Sequence, residues 1–416
     1  MTSPITRRSF LRAGAAAGGA VVATGCAAEV PGESVDTDPM SEVAFISHIG
    51  AWQPGIVTPA PRHAIVVAFD TTATDRDQLR EMLTALSVEV DLLTSGTPAG
   101  PGDPLFPPPD NRITGITPEP DDLTVTVALG ASIFDHRFGL AAHAPRQLAA
   151  MPMFPNDRSD PGRTHGDLLI QICSQREIVA HHSLRRLMLA TRGWLTLRWM
   201  QAGFQELNTL GPGRTSTRNL LGFKDGTANL DTHDSPTVHR YIWVSADDDE
   251  PEWTVGGTYM VSRIIRNRVE FWDRTPLVTQ ELIIGRKKES GAPLSGDDEA
   301  ATPEFDDAGE VTPLSAHIRL ANPRTPGSER NLILRRGFNY ANGFSADGQL
   351  DQGLLFVCFQ RSLSDGFLAV QARLDGEALE EYIRPEGGGF FFVPPGRTVA
   401  GEPFAAGLLR TTDLAP

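Results

Sequence analysis

The stretch HSLRRLMLATRGWLTLRWMQAGF, residues 182–204, closes a repeating order of elements and so decides the fold. Leu184, Leu187, Met188, Thr191, Trp194 and Leu195 recur at helical spacing, which predicts one long helix with a buried stripe. Ahead of it, DLTVTVALG (122–130) and DLLIQICS (167–174) read as strands, being short alternating or apolar runs between turn residues. Further back, DRDQLREMLTALSVEVDLL (75–93) places Leu79, Met82, Leu83 and Leu86 on one helical face, and HAIVVAFD (63–70) reads as a strand. Residues 95–120 are rich in Pro and Gly and form a loop. The order β-α-β-β-α, completed by one more strand, is the ferredoxin-like pattern.

The second half repeats that order. GTYMVSRII (257–265) is a strand, and RVEFWDRTPLVTQELIIG (268–285) is largely helical, with Pro276 starting its second part. An acidic loop rich in Pro and Gly spans 286–313, and LSAHIRLA (314–321) is a short ordered segment. NLILRRG (331–337) and QGLLFVCFQ (352–360) are strands, DGFLAVQARLDGEALEEYI (365–383) is helical, and GGFFFVP (388–394) is a last strand. A length of 416 residues exceeds one ordinary core. The expected fold is therefore α+β, with two ferredoxin-like domains on antiparallel sheets, residues 61–215 and 216–412. Residues 27–60 are rich in Pro, Gly and acids, and read as a linker.

The formal charge of −15 argues against nonspecific nucleic-acid binding, which needs clustered Lys and Arg to displace counterions, and no nucleic-acid partner is expected. The amino terminus is an address rather than fold. Thr6-Arg7-Arg8-Ser9-Phe10-Leu11-Arg12 resembles a twin-arginine export signal, and the Ala- and Gly-rich run that follows is too short to span a bilayer. Residues 1–26 are read as this signal peptide. Ala23-Thr24-Gly25-Cys26 loosely resembles a lipobox, so lipid anchoring at Cys26 and cleavage with release both stay open. Either way the protein is expected in the cell envelope or outside the cell. Cys173 and Cys358 lie in apolar runs and read as inert core residues, without a disulfide framework or a zinc motif.

Three polar residues stand out. Asp225 lies in LGFKDGTANL (221–230), with Gly222 before it and Gly226 directly after. Such a carboxylate serves either a tight turn or an approaching ligand. His317 lies in an apolar setting, as a satisfied core residue or as a ligand for haem iron. Arg335 and Arg336 point to opposite faces of one strand, so one of them faces inward and needs an anion or a polar cavity.

Together these segments resemble the dye-decolourising (DyP-type) haem peroxidases. Gly222-Phe223-Lys224-Asp225-Gly226 fits the family's G-x-x-D-G motif. Ser315–Arg319 is similar to its proximal-histidine segment, Leu334–Gly337 to its distal-arginine segment, and Gly353–Gln360 to its distal apolar strand. Residues 256–288 are similar to the exported branch linked to iron uptake, with its deferrochelatase/peroxidase-like members. The resemblance covers roughly residues 60–410 and implies a dimeric α+β barrel-like superfamily, with haem bound in the carboxy-terminal domain.

The resemblance also implies roles. One non-covalent haem b would bind per chain, with His317 as the iron ligand. Asp225 would be the distal acid–base and Arg335 the distal arginine. Gly226 and Thr227 would adjoin the cofactor, Leu354 and Phe356 would cover it with apolar surface, and Arg263 would meet a propionate. Position 337 is asparagine in several members; here it is Gly337, with Asn339 as a substitute. Glu380, Glu381 and Asp375 are candidate acceptors for the second nitrogen of His317. Trp243, Trp253, Trp272 and Tyr340 are candidate relays for electrons from dyes too large to enter.

The chemistry suits these residue types. Peroxide must lose a proton from one oxygen and gain one on the other, and one positioned base can do both. A guanidinium stabilises the charge that develops as the O–O bond breaks. Carboxylates ionise at lower pH than imidazoles, so an acidic optimum is expected for dye oxidation. The implied partners are hydrogen peroxide, an organic or iron reductant, the twin-arginine translocase and iron-uptake proteins, with a homo-oligomer among the allowed assemblies. Two alternatives keep the haem: an iron-acquisition protein that oxidises ferrous iron or releases iron from haem, and a non-catalytic haem carrier.

Overall fold

Asp75 caps the first helix by accepting the Gln78 N–H at 2.9 Å, and Leu79, Met82, Leu83, Leu86, Val90 and Leu93 follow as its buried face. The computed structural model describes residues 45–116, 118–209 and 215–411. The export signal and Cys26 lie outside them. The amino-terminal half runs β1 (His63–Thr71), α1 (Arg76–Thr94), β2 (Thr124–Gly130), β3 (Leu168–Ser174), α2 (Glu177–Ala190) and β4 (Leu195–Phe204). A ribbon of β5 (Leu207–Thr209) and β6 (Thr215–Thr217), then α3 (Ser235–Tyr241), leads to the second half. That half runs β7 (Thr258–Asn267), α4 (Val269–Trp272), α5 (Leu277–Ile284), α6 (His317–Ala321), β8 (Leu334–Arg335), β9 (Phe338–Phe344), β10 (Leu350–Gln360), α7 (Ala369–Leu374), β11 (Ile383–Val393) and α8 (Ala406–Arg410).

The sheet is antiparallel and closes on itself. Its amino-terminal strands lie in the order β2-β3-β1-β4 and its carboxy-terminal strands in the order β11-β7-β10-β9. Counted within each half, both orders are fourth-first-third-second when read from the same end, the ferredoxin-like arrangement. Short seams join the halves: Phe204 faces Asn339 between β4 and β9, and Phe391 and Phe392 face Gly130 and Leu129 between β11 and β2. The result is an α+β fold around a barrel. Alternate residues point in and out. Ala64, Val66 and Ala68 of β1 join Met260, Ile264, Leu355 and Val357 in the interior, while Ile65, Val67 and Phe69 lie in the outer core with α1 and α2.

Several sequence expectations are corrected. Residues 182–204 are a helix followed by a strand. The helix ends at Ala190, Gly193 takes φ +94°, and β4 begins at Leu195. Trp199, Gln201 and Gly203 are buried at period two, but exposed Leu197 and Met200 hide that alternation among apolar letters. The strand read at 331–337 shrinks to Leu334–Arg335, and its continuation is β9, along the same edge of β10. The helix read at 365–383 is α-helical only over Ala369–Leu374, because Gly376 at φ +83° turns the chain.

The linker reading fails over residues 48–57. The Gln53 side chain donates to Val127 O and accepts the Val127 N–H, and His48 Nε2 accepts the Val125 N–H at 2.9 Å. These side chains satisfy an edge of β2 that the short seam to β11 leaves unpaired. Among the described residues no helix is long and apolar enough to cross a membrane.

Candidate active site

The outer face of β7 and β10 forms the floor of the site. Leu354 lies opposite Ile265 and Phe356 opposite Arg263, two cross-strand pairs on one face. Among the described residues of this half no long helix covers the face. A cavity of about 300 Å³ lies there, lined by these residues together with Asp225, His317 and Arg335.

The turn that carries Asp225 is held from several sides. Asp225 N–H donates to Thr217 O, and Thr217 Oγ1 donates back to Asp225 O at 2.9 Å. Asn219 Oδ1 accepts the N–H groups of Leu221 and Phe223, each at 3.1 Å. Gly226 sits at φ +103°, and a Cβ there would meet no protein atom within 4 Å. Its requirement is therefore the backbone conformation, which side chains disfavour. Glu299, from the acidic loop, pairs with buried Lys224 and accepts from Thr227 Oγ1 at 2.9 Å, tying that loop to both flanks of Asp225.

Arg335 Nη1 donates to Asp225 Oδ1 at 2.8 Å, and both side chains keep about a third of their surface accessible, toward the cavity they line. Arg336 points the other way, buried, and donates to the carbonyls of Thr58 and Pro59. A second cavity of about 260 Å³ shares Asp225, Gly226, Arg335 and Leu354 with the first, so the pair stands between the two. Gly337 lines both cavities, and a Cβ there would meet Leu354 Cδ1 at 3.1 Å. Asn339, expected as its substitute, instead donates to Arg218 O at 2.8 Å.

His317 opens α6. Its Nδ1 lies 2.8 Å and 3.1 Å from the two carboxylate oxygens of Glu377, and so donates to them. Glu377 is the acceptor in place of Glu380, Glu381 and Asp375. The turn at Gly376 directs Glu377 inward, whereas a continuous helix would have hidden that choice. The ring is enclosed by protein, and its accessible third is cavity wall. Burial by itself lowers the imidazole pKa, but the Glu377 charge and hydrogen bond prevail and raise it.

Arg263 lines the cavity with its charge already engaged. Its guanidinium pairs with buried Asp157, donates to Gln371 Oε1 at 2.8 Å and lies 5.0 Å from the Phe154 ring. A buried cation needs a counter-charge, and Asp157 already supplies it. Arg286 and Arg324 line the same cavity. Arg286 donates to Gly291 O and Glu299 O, and its pKa is lowered by burial and by neighbouring Arg324 and Arg335.

Of the relay candidates, Trp243 stacks on Trp52 with ring centroids 5.3 Å apart. Trp253 donates to His143 O, and Trp272 donates to Leu221 O. Tyr340 is fully buried.

The donor set fits a haem. An imidazole oriented by a buried carboxylate keeps its other nitrogen for a metal. The floor is apolar, and arginines bring positive charge for propionates.

The comparisons place the chain. Residues 53–205 match the profile of Dyp-type peroxidase, N-terminal, and residues 216–398 that of Dyp-type peroxidase, C-terminal. The chain is 47% identical over 366 residues to the deferrochelatase of Escherichia coli, covering 87% of this chain and 86% of that protein. It is 47% identical over 364 residues to the deferrochelatase of Yersinia pestis, covering 87% and 84%. The DyP-type peroxidase structure from Streptomyces coelicolor superposes with a TM-score of 0.80 at 35% identity, over 90% of this chain and all of that one. The one from Cellulomonas bogoriensis gives 0.77 at 35% identity, over 88% and 99%.

The fold and site thus define a peroxidase of the barrel-like α+β class. The chain belongs to the Dyp-type peroxidase family. It is an oxidoreductase with a non-covalent haem b cofactor and hydrogen peroxide as oxidising substrate.

Proposed function

We propose that Asp225 is the acid–base of peroxide cleavage, Arg335 its electrostatic partner and His317 the iron ligand. The observation that carries this reading is the 2.8 Å contact of Arg335 with Asp225 in the cavity that His317 lines. Bound haem supplies the redox-active iron. Asp225 takes a proton from one peroxide oxygen and returns it to the other as water leaves. Arg335 holds the Asp225 carboxylate in place and stabilises charge on the leaving oxygen. Glu377 fixes the His317 ring and makes it a stronger donor. Leu354 and Phe356 limit water on the cofactor, Gly226 and Thr227 shape the turn beside it, and Arg286 and Arg324 balance the propionates. The test is peroxide-dependent dye oxidation by Asp225→Asn. Activity should fall by about 10²–10⁴-fold with the haem absorption band unchanged. Full activity with normal haem would remove Asp225 from this role.

A second reading is iron handling, favoured by the 47% identity to deferrochelatases. On that reading the same cavity would hold haem as substrate while two protons from solvent replace ferrous iron on the ring nitrogens, leaving the free porphyrin. Porphyrin fluorescence from the haem-loaded protein tests it: growth with time supports release, and its absence leaves the peroxidase reading alone.

We also propose that residues 1–26 direct twin-arginine export, with anchoring at Cys26 or release after cleavage, and that the chain divides into domains 61–215 and 216–412. Replacing Arg7 and Arg8 by Lys should retain the protein in the cytoplasm.

A further inference from the structure

Asn229 makes two hydrogen bonds with Arg335, both to its backbone. Its Nδ2 donates to Arg335 O at 2.7 Å, and its Oδ1 accepts the Arg335 N–H at 2.9 Å. A side-chain amide that pairs with both peptide groups of one residue takes the place of a neighbouring strand. The need is local. β8 is two residues long, and β10 occupies its other edge, with Cys358 opposite Arg335. Without Asn229, the polar groups of Arg335 would have no protein partner on this side.

Asn229 also belongs to the turn of Asp225, since its N–H donates to Gly226 O at 3.0 Å. A closed loop of contacts results. The side chains of Asp225 and Arg335 meet at one point, and Asn229 fastens the Arg335 backbone to the Asp225 turn at another. The ion pair is about a third accessible, and accessible pairs are weak. Such a contact does little to hold a long arginine side chain in one geometry against its rotamer freedom. The anchor leaves the side-chain torsions free but fixes the backbone position from which the guanidinium reaches Asp225.

We propose that Asn229 is the positioning residue of the Asp225–Arg335 pair: it sets where the guanidinium stands over the cavity without touching substrate or cofactor. The inference rests on the reading of that pair as the peroxide-cleaving groups.

The test is a double-mutant cycle on the haem-loaded full chain, with Asn229→Ala, Arg335→Leu and the double variant. The rate of the haem absorbance change on adding peroxide is read for each. Haem content and melting temperature are read alongside. Hydrogen exchange of the segment holding Arg335 is measured as a readout independent of activity. Asn229→Ala should slow the reaction by about 10–100-fold, as small misplacements of catalytic groups do. It should raise exchange at Arg335 and leave the haem band in place. The double variant should be no slower than Arg335→Leu, because the positioning then has nothing to act on. An Asn229→Ala protein at the unaltered rate beside a slow Arg335→Leu overturns the positioning role and leaves the peroxidase reading standing. Effects that multiply in the double variant overturn it as well. An Arg335→Leu protein at the unaltered rate overturns the reading of the pair itself. If Asn229→Ala loses haem, Asn229→Asp enters the same cycle, since it keeps the acceptor and loses the donor. A slowed rate then supports the role, and an unaltered rate overturns it.

Discussion

Glu377 accepts the Nδ1 proton of His317 at 2.8 Å, across 60 positions of the chain. The carboxylate is almost wholly buried, so this contact is its main compensation for lost water. The pair fixes which imidazole nitrogen faces the cavity. Glu377→Ala should weaken haem binding by about 10–100-fold, the usual effect of removing such a support. Titration of the haem-free protein with haem measures it. Glu377→Gln, which keeps an acceptor, should lose less. Unchanged affinity in both variants would detach Glu377 from the haem.

Arg335→Leu should lower peroxide-dependent turnover by about 10²–10³-fold, the range for losing one donor to developing charge. Arg336→Leu should act on stability instead, since its guanidinium holds the carbonyls of Thr58 and Pro59. Paired measurements of turnover and melting temperature separate the two. A drop in melting temperature for Arg335→Leu with turnover intact would reverse the assignment.

Gly226→Ala should destabilise the protein by about 1–3 kcal/mol, because φ of +103° is strained for any side chain. Turnover should fall with it, since the Asp225 turn must shift. Denaturant unfolding reads the first effect and dye oxidation the second. An unaltered midpoint would show that the turn relaxes freely.

His48 gives a pH dependence with a defined sign. Burial pushes its pKa down from 6.5 to about 4, and its Nε2 already accepts the Val125 N–H, so a second ring proton would face a donor. The unfolded chain therefore binds a proton that the folded chain refuses between these values. The stabilisation is fully present above pH 6.5, is lost as pH falls toward about 4, and is flat below. At 1.36 kcal/mol per unit this amounts to about 3 kcal/mol. Melting curves of the protein and of His48→Gln should differ in slope across that window. Parallel slopes would contradict the assignment.

Trp272→Phe should leave oxidation of a bulky dye unchanged. Lys288 Nζ lies 5.8 Å from the Trp272 ring, and a cation at the ring face opposes loss of an electron from it. A marked loss of dye turnover with small phenols unaffected would make Trp272 a relay after all.

Much of this was legible in the letters. HAIVVAFD and GLLFVCFQ are continuous apolar runs because both strand faces are buried, one in the barrel and one outside it. Asp225, His317 and Arg335 were visible as unusual residues in short motifs, and they do line one cavity. What failed depended on distant partners. β4 carries exposed Leu197 and Met200, so its alternation vanished into a helical pattern. Glu377 could not be told from its acidic neighbours until Gly376 turned the chain. His48 and Gln53 looked like linker because the strand edge they satisfy lies more than seventy positions on.

The most direct test of the central claim is the absorption spectrum of the haem-loaded protein before and after one equivalent of peroxide, beside Asp225→Asn. The account predicts a haem band in both, a rapid spectral change in the unaltered protein and a change slowed by about 10²–10⁴-fold in the variant. Equal rates in the two proteins would contradict it and take Asp225 out of the chemistry.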